Sequence, residues 1–245
     1  MIQLMLPNDE SHYLNKLFNT EIQAALDEIN KNHNDCSCEE AAGRILKHFG
    51  IGLNTPLEKQ LKSSTQLDKY PPNKIYRLAL EFVESKEAAM QMAIAMGIYG
   101  EIYILGKIST GVFSFADLES NYQGFLFALD LCNAGPTHLK RSGKGWELEG
   151  VFDLRNYVNP FWDESYNPSY YYENQNLSLI PKAQAVLQNI PDYCLKFQSD
   201  RIQGIFDYYD SMAKPSYSVK YLQQLIEKGE LPDPSPFYIR TICEE

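Results

Sequence analysis

Apolar residues recur at three- and four-residue spacing through most of this chain, the period of a helix with one buried face. Leu14, Leu17, Phe18, Ile22, Ala25, Leu26 and Ile29 form one such stripe and predict a helix from about Asp9 to Asn32. Ser37-Cys38-Glu39-Glu40 fits a capping box, in which the serine accepts from a backbone N–H and the glutamate reaches back. The helix it opens carries Ala41, Ile45 and Phe49 and ends at Gly50. A turn is expected at Leu57 to Leu61 after Pro56, and another helix face at Ile75, Leu78, Ala79, Phe82 and Val83. Later helices are expected at Pro181 to Asn189, Ser199 to Met212 and Tyr217 to Lys228.

Ala88 to Gly106 departs from this pattern, being apolar on every side of a helix except for Gln91 and Glu101. A helix of that kind is normally buried in a fold or in a membrane. Its 19 residues reach the lower end of what a bilayer needs, but Glu101 lies inside it and its flanks carry no strong positive bias. The reading is therefore a buried central helix from about Ser85 to Ser109, with Gly97 and Gly100 on one side where another backbone could approach. Thr110-Gly111 breaks it, Ser114-Phe115-Ala116-Asp117 opens the next helix, and Asn133-Ala134-Gly135-Pro136 ends that one. Two apolar helices on a short loop predict an antiparallel hairpin from Ser85 to Cys132.

Between Pro136 and Pro181 the helical period disappears. Trp146, Leu148, Phe152 and Leu154 suggest an extended segment, followed by the aromatic run NPFWDESYNPSYYYENQN, Asn159 to Asn176. Long segments of this kind in a compact domain are uncommon and often functional. The last stretch, 232–245, reads as an extended proline-rich tail. No Gly/Ser-rich or charged linker divides the chain, so residues 1–245 are read as one mainly α-helical domain with an irregular segment at 136–181.

Composition narrows the function classes. A net charge of -10 argues against non-specific nucleic-acid binding, which needs a basic face, and favours solubility or a basic protein partner. The dense basic cluster, His138 with Lys140, Arg141 and Lys144, lacks a phosphate-loop pattern and reads as a solvated loop. The five cysteines cannot all pair within one chain. Cys132 reads as core, and Cys36-x-Cys38 near His33 is an incomplete zinc signature, so no metal and no cofactor is expected. The N-terminus MIQLMLPNDE has no positive region and points to the cytoplasm; an exported chain lacking its signal would look the same.

Two constellations could carry chemistry. Glu101 is a carboxylate in apolar surroundings, where ionisation is costly unless something pairs with it. Asp117 and Asn121 share a helical face that a hairpin could bring to it. Glu101 would then be an acid/base with a raised pKa, and Asp117 and Asn121 would position substrate. In the alternative, Asp117 caps its helix while Glu101 pairs with Lys107, an arginine or a tyrosine. The second constellation is Trp162, Asp163, Glu164, Asn167, Tyr170 and Tyr171, with Tyr166 and Tyr172. Aromatic faces beside carboxylates suit a peptide or a sugar, and paired carboxylates also serve glycoside hydrolysis. In the alternative these side chains plug gaps between helices. No nucleophile elbow, H-E-x-x-H or G-x-G-x-x-G is present.

Gly100-Glu101-Ile102-Tyr103 followed by Phe113-Ser114-Phe115-Ala116-Asp117-Leu118-Glu119-Ser120-Asn121 resembles an uncharacterised bacterial family with a His-Glu helix and a motif F-S-x-x-D-x-x-S-N. Glu101, Asp117, Ser120 and Asn121 match, while Gly100 stands where that family has His. The resemblance implies a bacterial source and the same helix-loop-helix, brings no activity, and treats Glu101, Asp117 and Asn121 as a unit. The expected function is a protein that binds a peptide, a glycan or a basic protein partner through an aromatic, acidic surface, with no membrane span. A hydrolase-like enzyme built on Glu101 is the alternative.

Overall fold

Among the described residues, the helix signals at Asp9 to Asn32, Ser37 to Gly50, Ser199 to Met212 and Tyr217 to Lys228 become helices at nearly the expected bounds, while the helix expected to about Ser109 ends at Tyr103. The computed structural model describes residues 8–49, 86–104, 106–108, 110–133, 137–172 and 189–244. Among them are helices α1 (Asn8–Asn32), α2 (Cys38–Phe49), α3 (Lys86–Tyr103), α4 (Phe115–Cys132), α5 (Ile190–Phe197), α6 (Asp200–Met212), α7 (Tyr217–Glu227) and α8 (Ile239–Glu244). Strands β1 (Val112–Phe113), β2 (His138–Ser142), β3 (Gly145–Glu149) and β4 (Tyr170–Tyr171) form two small antiparallel pairs, β1 with β4 and β2 with β3. The fold is mainly α. The expected turn at Leu57 to Leu61, the face at Ile75 to Val83 and most of the helix at Pro181 to Asn189 lie outside the described residues.

Backbone contacts divide the chain into two units. One comprises residues 2–93 and 121–158, the other residue 1, 94–120 and 159–245; α3 and α4 each change unit along their length. In the first unit, Leu17, Ile22, Ala25, Leu26 and Ile29 of α1 pack with Ala41, Ala42 and Ile45 of α2 and with Phe125, Ala128 and Leu131 of α4. The capping box forms in both directions: the Glu40 N–H donates to Ser37 Oγ and the Ser37 N–H to Glu40 Oε2, each at 3.2 Å.

The expected extended segment is a β-hairpin followed by a strap, and asparagines of α1 clasp its backbone. Asn30 accepts from the Trp146 N–H (2.7 Å) and donates to the Trp146 carbonyl (2.9 Å). Asn19 makes the same pair with Phe152, at 3.0 and 2.9 Å. Asn15 accepts from the Leu154 N–H (2.9 Å) and donates to Asp153 Oδ1 (3.0 Å). Primary amides thus supply what a neighbouring strand would, and each half-buried bond is worth about 1 kcal/mol. Gly145 is glycine for two reasons: its φ is +121°, and a Cβ there would collide with the Asn30 amide. The basic cluster lies on this hairpin and meets acids: His138 and Lys140 reach Glu149 (3.4 and 3.3 Å), and Arg141 reaches Asp35 (3.4 Å).

In the second unit, Gly97 of α3 faces Leu118 of α4, where an added Cβ would stand 2.8 Å from a leucine methyl. At Gly97 the close approach is thus to a side chain and not to a backbone. Three expectations are corrected. α3 is not buried all round: Tyr99 and Tyr103 are exposed. The tail is not extended, because Ser235–Phe237 and α8 are helical and Arg240 binds Asp210 at 2.7 Å. Cys132 is not a plain core residue; it is bonded to Cys38, as Cys194 is to Cys243, with Cys36 free and buried. These bonds close separations of 94 and 49 residues, for which chain entropy gives about 4–5 kcal/mol each. No described helix is long and apolar enough to cross a membrane.

A peptide map of the native protein under non-reducing conditions is expected to link Cys38 to Cys132 and Cys194 to Cys243. Cys36 should react with an alkylating agent only after unfolding. An alkylated Cys38 or Cys132 in the folded protein contradicts this pairing.

Candidate functional site

Glu101 stands in the last turn of α3, two residues before its end, and the chain folds back around it. Its carbonyl accepts the Lys107 N–H at 2.6 Å, closing the helix end. Its carboxylate Oε2 accepts the Ser114 N–H at 3.1 Å. Ser114 in turn caps α4, its Oγ accepting the Asp117 N–H at 3.1 Å. Gly106 lies against both groups: a Cβ there would collide with the carbonyl and carboxylate of Glu101 and come within 2.7 Å of the Val112 carbonyl. One buried side chain therefore joins the end of one helix to the start of the next.

Glu164 of the aromatic segment reaches the same place. Its Oε1 accepts hydroxyl hydrogen bonds from Ser114 (3.0 Å) and Ser169 (3.1 Å). The two constellations separated in the sequence thus share one cluster: Glu101 buried, Asp117 half-buried and Glu164 exposed. Burial pushes the Glu101 carboxyl up to about 7, assisted by repulsion from Asp117 and, less, from Glu164; the Ser114 N–H opposes the shift. Burial and then Glu164 raise Asp117 to about 6. Among the described residues no Lys or Arg side chain pairs with any of the three carboxylates. Lys107 instead holds its ammonium over the Tyr172 ring, 4.6 Å from the centroid. Its expected pairing with Glu101 is a backbone bond alone.

The other candidate residues are placed differently. Asp163 is buried and takes up internal donors: Ser165 N–H and hydroxyl at Oδ1 (2.9 and 2.6 Å) and the Tyr209 hydroxyl at Oδ2 (2.9 Å). Asn167 donates to the Phe161 carbonyl at 2.9 Å, and the buried Tyr166 donates to Asp210 Oδ1 at 3.0 Å. Trp162 is half-buried at the end of the 3-10 turn Pro160–Trp162. Tyr170 and Tyr171 are half-buried on β4 with ring edges on Phe237. Asn121 falls in the other unit.

Sequence reasoning missed Ser114 and Ser169 as donors, Gly106 as the residue that admits the carboxylate, and Glu119. Glu119 is fully buried and accepts from Asn159 Nδ2 (2.8 Å) and the Ser216 hydroxyl (2.7 Å), tying α4 to the cap of α7. Only Ser114 had a local signal, as the residue before a helix. No three His, Cys, Asp or Glu side chains among the described residues are grouped so as to hold a metal ion. Comparison with protein-family models, with curated proteins and with solved structures finds no match to this chain.

Raised carboxyl pKa values mean that the folded chain keeps protons that the unfolded chain has lost, so these groups make stability fall as pH rises. For Glu101 the loss runs from about 4.5 to about 7 and levels off above. Glu101→Gln is expected to match the wild type near the lower end of that window and to be more stable above its upper end, by roughly 3 kcal/mol. Denaturant unfolding across the range measures this; a variant less stable than wild type above the window contradicts it.

Proposed function

We propose that this chain is a binding protein that takes an organic cation, the ammonium or guanidinium group of a peptide or basic protein, at Glu101, Asp117 and Glu164. The observation that carries this reading is that Glu101 and Glu164 meet at Ser114, their described donors being hydroxyls and one backbone N–H, while Asp117, from a third segment, stands close enough to repel Glu101 and be repelled by Glu164. Such a cluster lacks a compensating charge, and a desolvated cation beside it gains more than at an ordinary surface. Exposure falls from Glu164 through Asp117 to Glu101, so an entering cation meets the most accessible carboxylate first. The neighbouring Tyr172 ring already holds an ammonium group, that of Lys107. The net charge of -10 draws cations in at longer range.

A second reading, an acid/base enzyme of the hydrolase type, is favoured by one specific observation. Glu101 and Asp117 have carboxyls raised to about 7 and about 6, the range in which a carboxyl can exchange protons near neutral pH. Two disulfides favour the exported alternative over the cytoplasm, where thiols stay reduced. The peptide map above, made on protein recovered with its thiols blocked at lysis, tests this: free Cys38, Cys132, Cys194 and Cys243 overturn export.

Calorimetric titration of the protein with an arginine-containing tripeptide amide tests the binding reading. Binding is expected to release protons near neutral pH, because the cation favours the ionised carboxylates. Asp117→Asn and Glu164→Gln should each weaken it about tenfold, the effect of losing roughly 1.4 kcal/mol. Absence of heat and of proton release with both this peptide and its lysine counterpart overturns the reading. Hydrolysis of a peptide or glycoside panel that Glu101→Gln abolishes would put the enzyme in its place.

A further inference from the structure

We infer that the groove between α1 and the strap that follows β3 binds a short peptide with both termini free, its carboxylate at Lys16 and its ammonium at Asp27. The groove is an open cavity of about 900 Å³, within the size range of ligand sites. One wall is the outer face of α1 from Asn15 to Asp27, and the other is the strap from Val151 to Arg155. All of these residues belong to the first unit, and none belongs to the carboxylate cluster. The asparagine clasps tie the two walls together: Asn15 holds Asp153 and Leu154, and Asn19 holds Phe152. Ala24 on the helix wall and Val151 on the strap wall, both exposed, give the lining an apolar stretch.

Charge and length select the occupant. The ionic side chains of the lining are Lys16, Asp27, Asp153 and Arg155. Asp153 and Arg155 neutralise each other through side-chain hydrogen bonds of 2.9, 2.8 and 2.6 Å. Lys16 and Asp27 are exposed, and neither has an ionic partner among the described residues. Asp27 Oδ1 accepts from Gln23 at 2.9 Å, which leaves Oδ2 open. Lys16 follows Asn15, which binds Asp153, so the free cation lies at that end of the groove. Asp27 comes eleven residues later on the same helix, about 16 Å further along its axis. A ligand with one charge leaves one end unmet, and a polyanion or a polyamine meets a like charge at one of them. An extended peptide of about five residues, at about 3.3 Å per residue, carries its carboxylate and its ammonium that far apart. Thr20 and Gln23 present oxygen acceptors to its N–H groups between the two ends.

Nitrogen-15 NMR titration of the native protein with the pentapeptide Ala-Ala-Leu-Ala-Ala at low salt tests this. Saturable shifts are expected at amides of α1 and the strap, with a dissociation constant on the order of 1 mM or below. Acetylating the peptide's N-terminus or amidating its C-terminus should each weaken binding about three- to fivefold, the scale of an exposed ion pair. The dipeptide Ala-Leu, too short to reach both ends, should bind more weakly than either blocked pentapeptide. Asp27→Asn should weaken the free pentapeptide as acetylation does and abolish the effect of acetylation; Lys16→Met should do the same for amidation. The blocked peptides make the test on the unaltered protein, so it stands even if a variant does not fold. Absence of saturable shifts up to about 5 mM peptide overturns the inference, as do blocked peptides that bind like the free one. An acetylation effect that persists in a folded Asp27→Asn puts the ammonium elsewhere on the protein and overturns it as well.

Discussion

The carboxylate of Glu101 is the constraint on which the local structure turns. It sits buried from water in the last turn of α3, and it accepts the N–H of the residue that caps the next helix. That one bond, with the Lys107 N–H on the Glu101 carbonyl, fixes how the chain leaves α3 and enters α4. It also fixes where Ser114 can offer its hydroxyl, and so where Glu164 comes to rest. A neutral isostere could do most of this without the electrostatic cost. Retaining a group that must either hold a proton or find a cation is what directs attention to this place.

Among the described residues, the helices were legible where the signal was periodic or capped. The α1 stripe, the Ser37–Glu40 box and the start of α4 follow from residue spacing and capping chemistry that act within a few residues. What was not legible depends on distant partners. Asn15, Asn19 and Asn30 look like ordinary polar positions on a helix until a strap of backbone more than a hundred residues away needs donors and acceptors. The same holds for Cys132, whose apolar surroundings hide a bond to Cys38, and for α8, whose proline-rich approach suggests an extended tail although Arg240 and Cys243 fasten it. The largely apolar character of α3 misled for another reason: apolar side chains such as Met92, Tyr99 and Tyr103 also occupy surface positions, so an apolar face need not be a buried one.

The site was legible in part. Burial made Glu101 conspicuous, and helical spacing brought in Asp117. Glu164 was chosen as a member of a separate aromatic surface, and no local rule links positions 101 and 164; the link is Ser114, which serves both as cap and as donor. Asp163, adjacent in sequence and alike in chemistry, turns the other way and satisfies Ser165 and Tyr209. A pair of neighbouring carboxylates is thus divided between a strut and a candidate site, a division that composition cannot make.

The central claim is that Glu101 is an uncompensated carboxylate in this fold. Carbon-13 NMR of the side-chain carboxyl, assigned by its disappearance in Glu101→Gln and followed through a pH titration of the native protein, measures that directly. The account predicts a midpoint near 7, with Asp117 titrating below it near 6. A Glu101 midpoint at or below the ordinary 4.5 would mean that a positive charge or further donors already meet the carboxylate, and would contradict it.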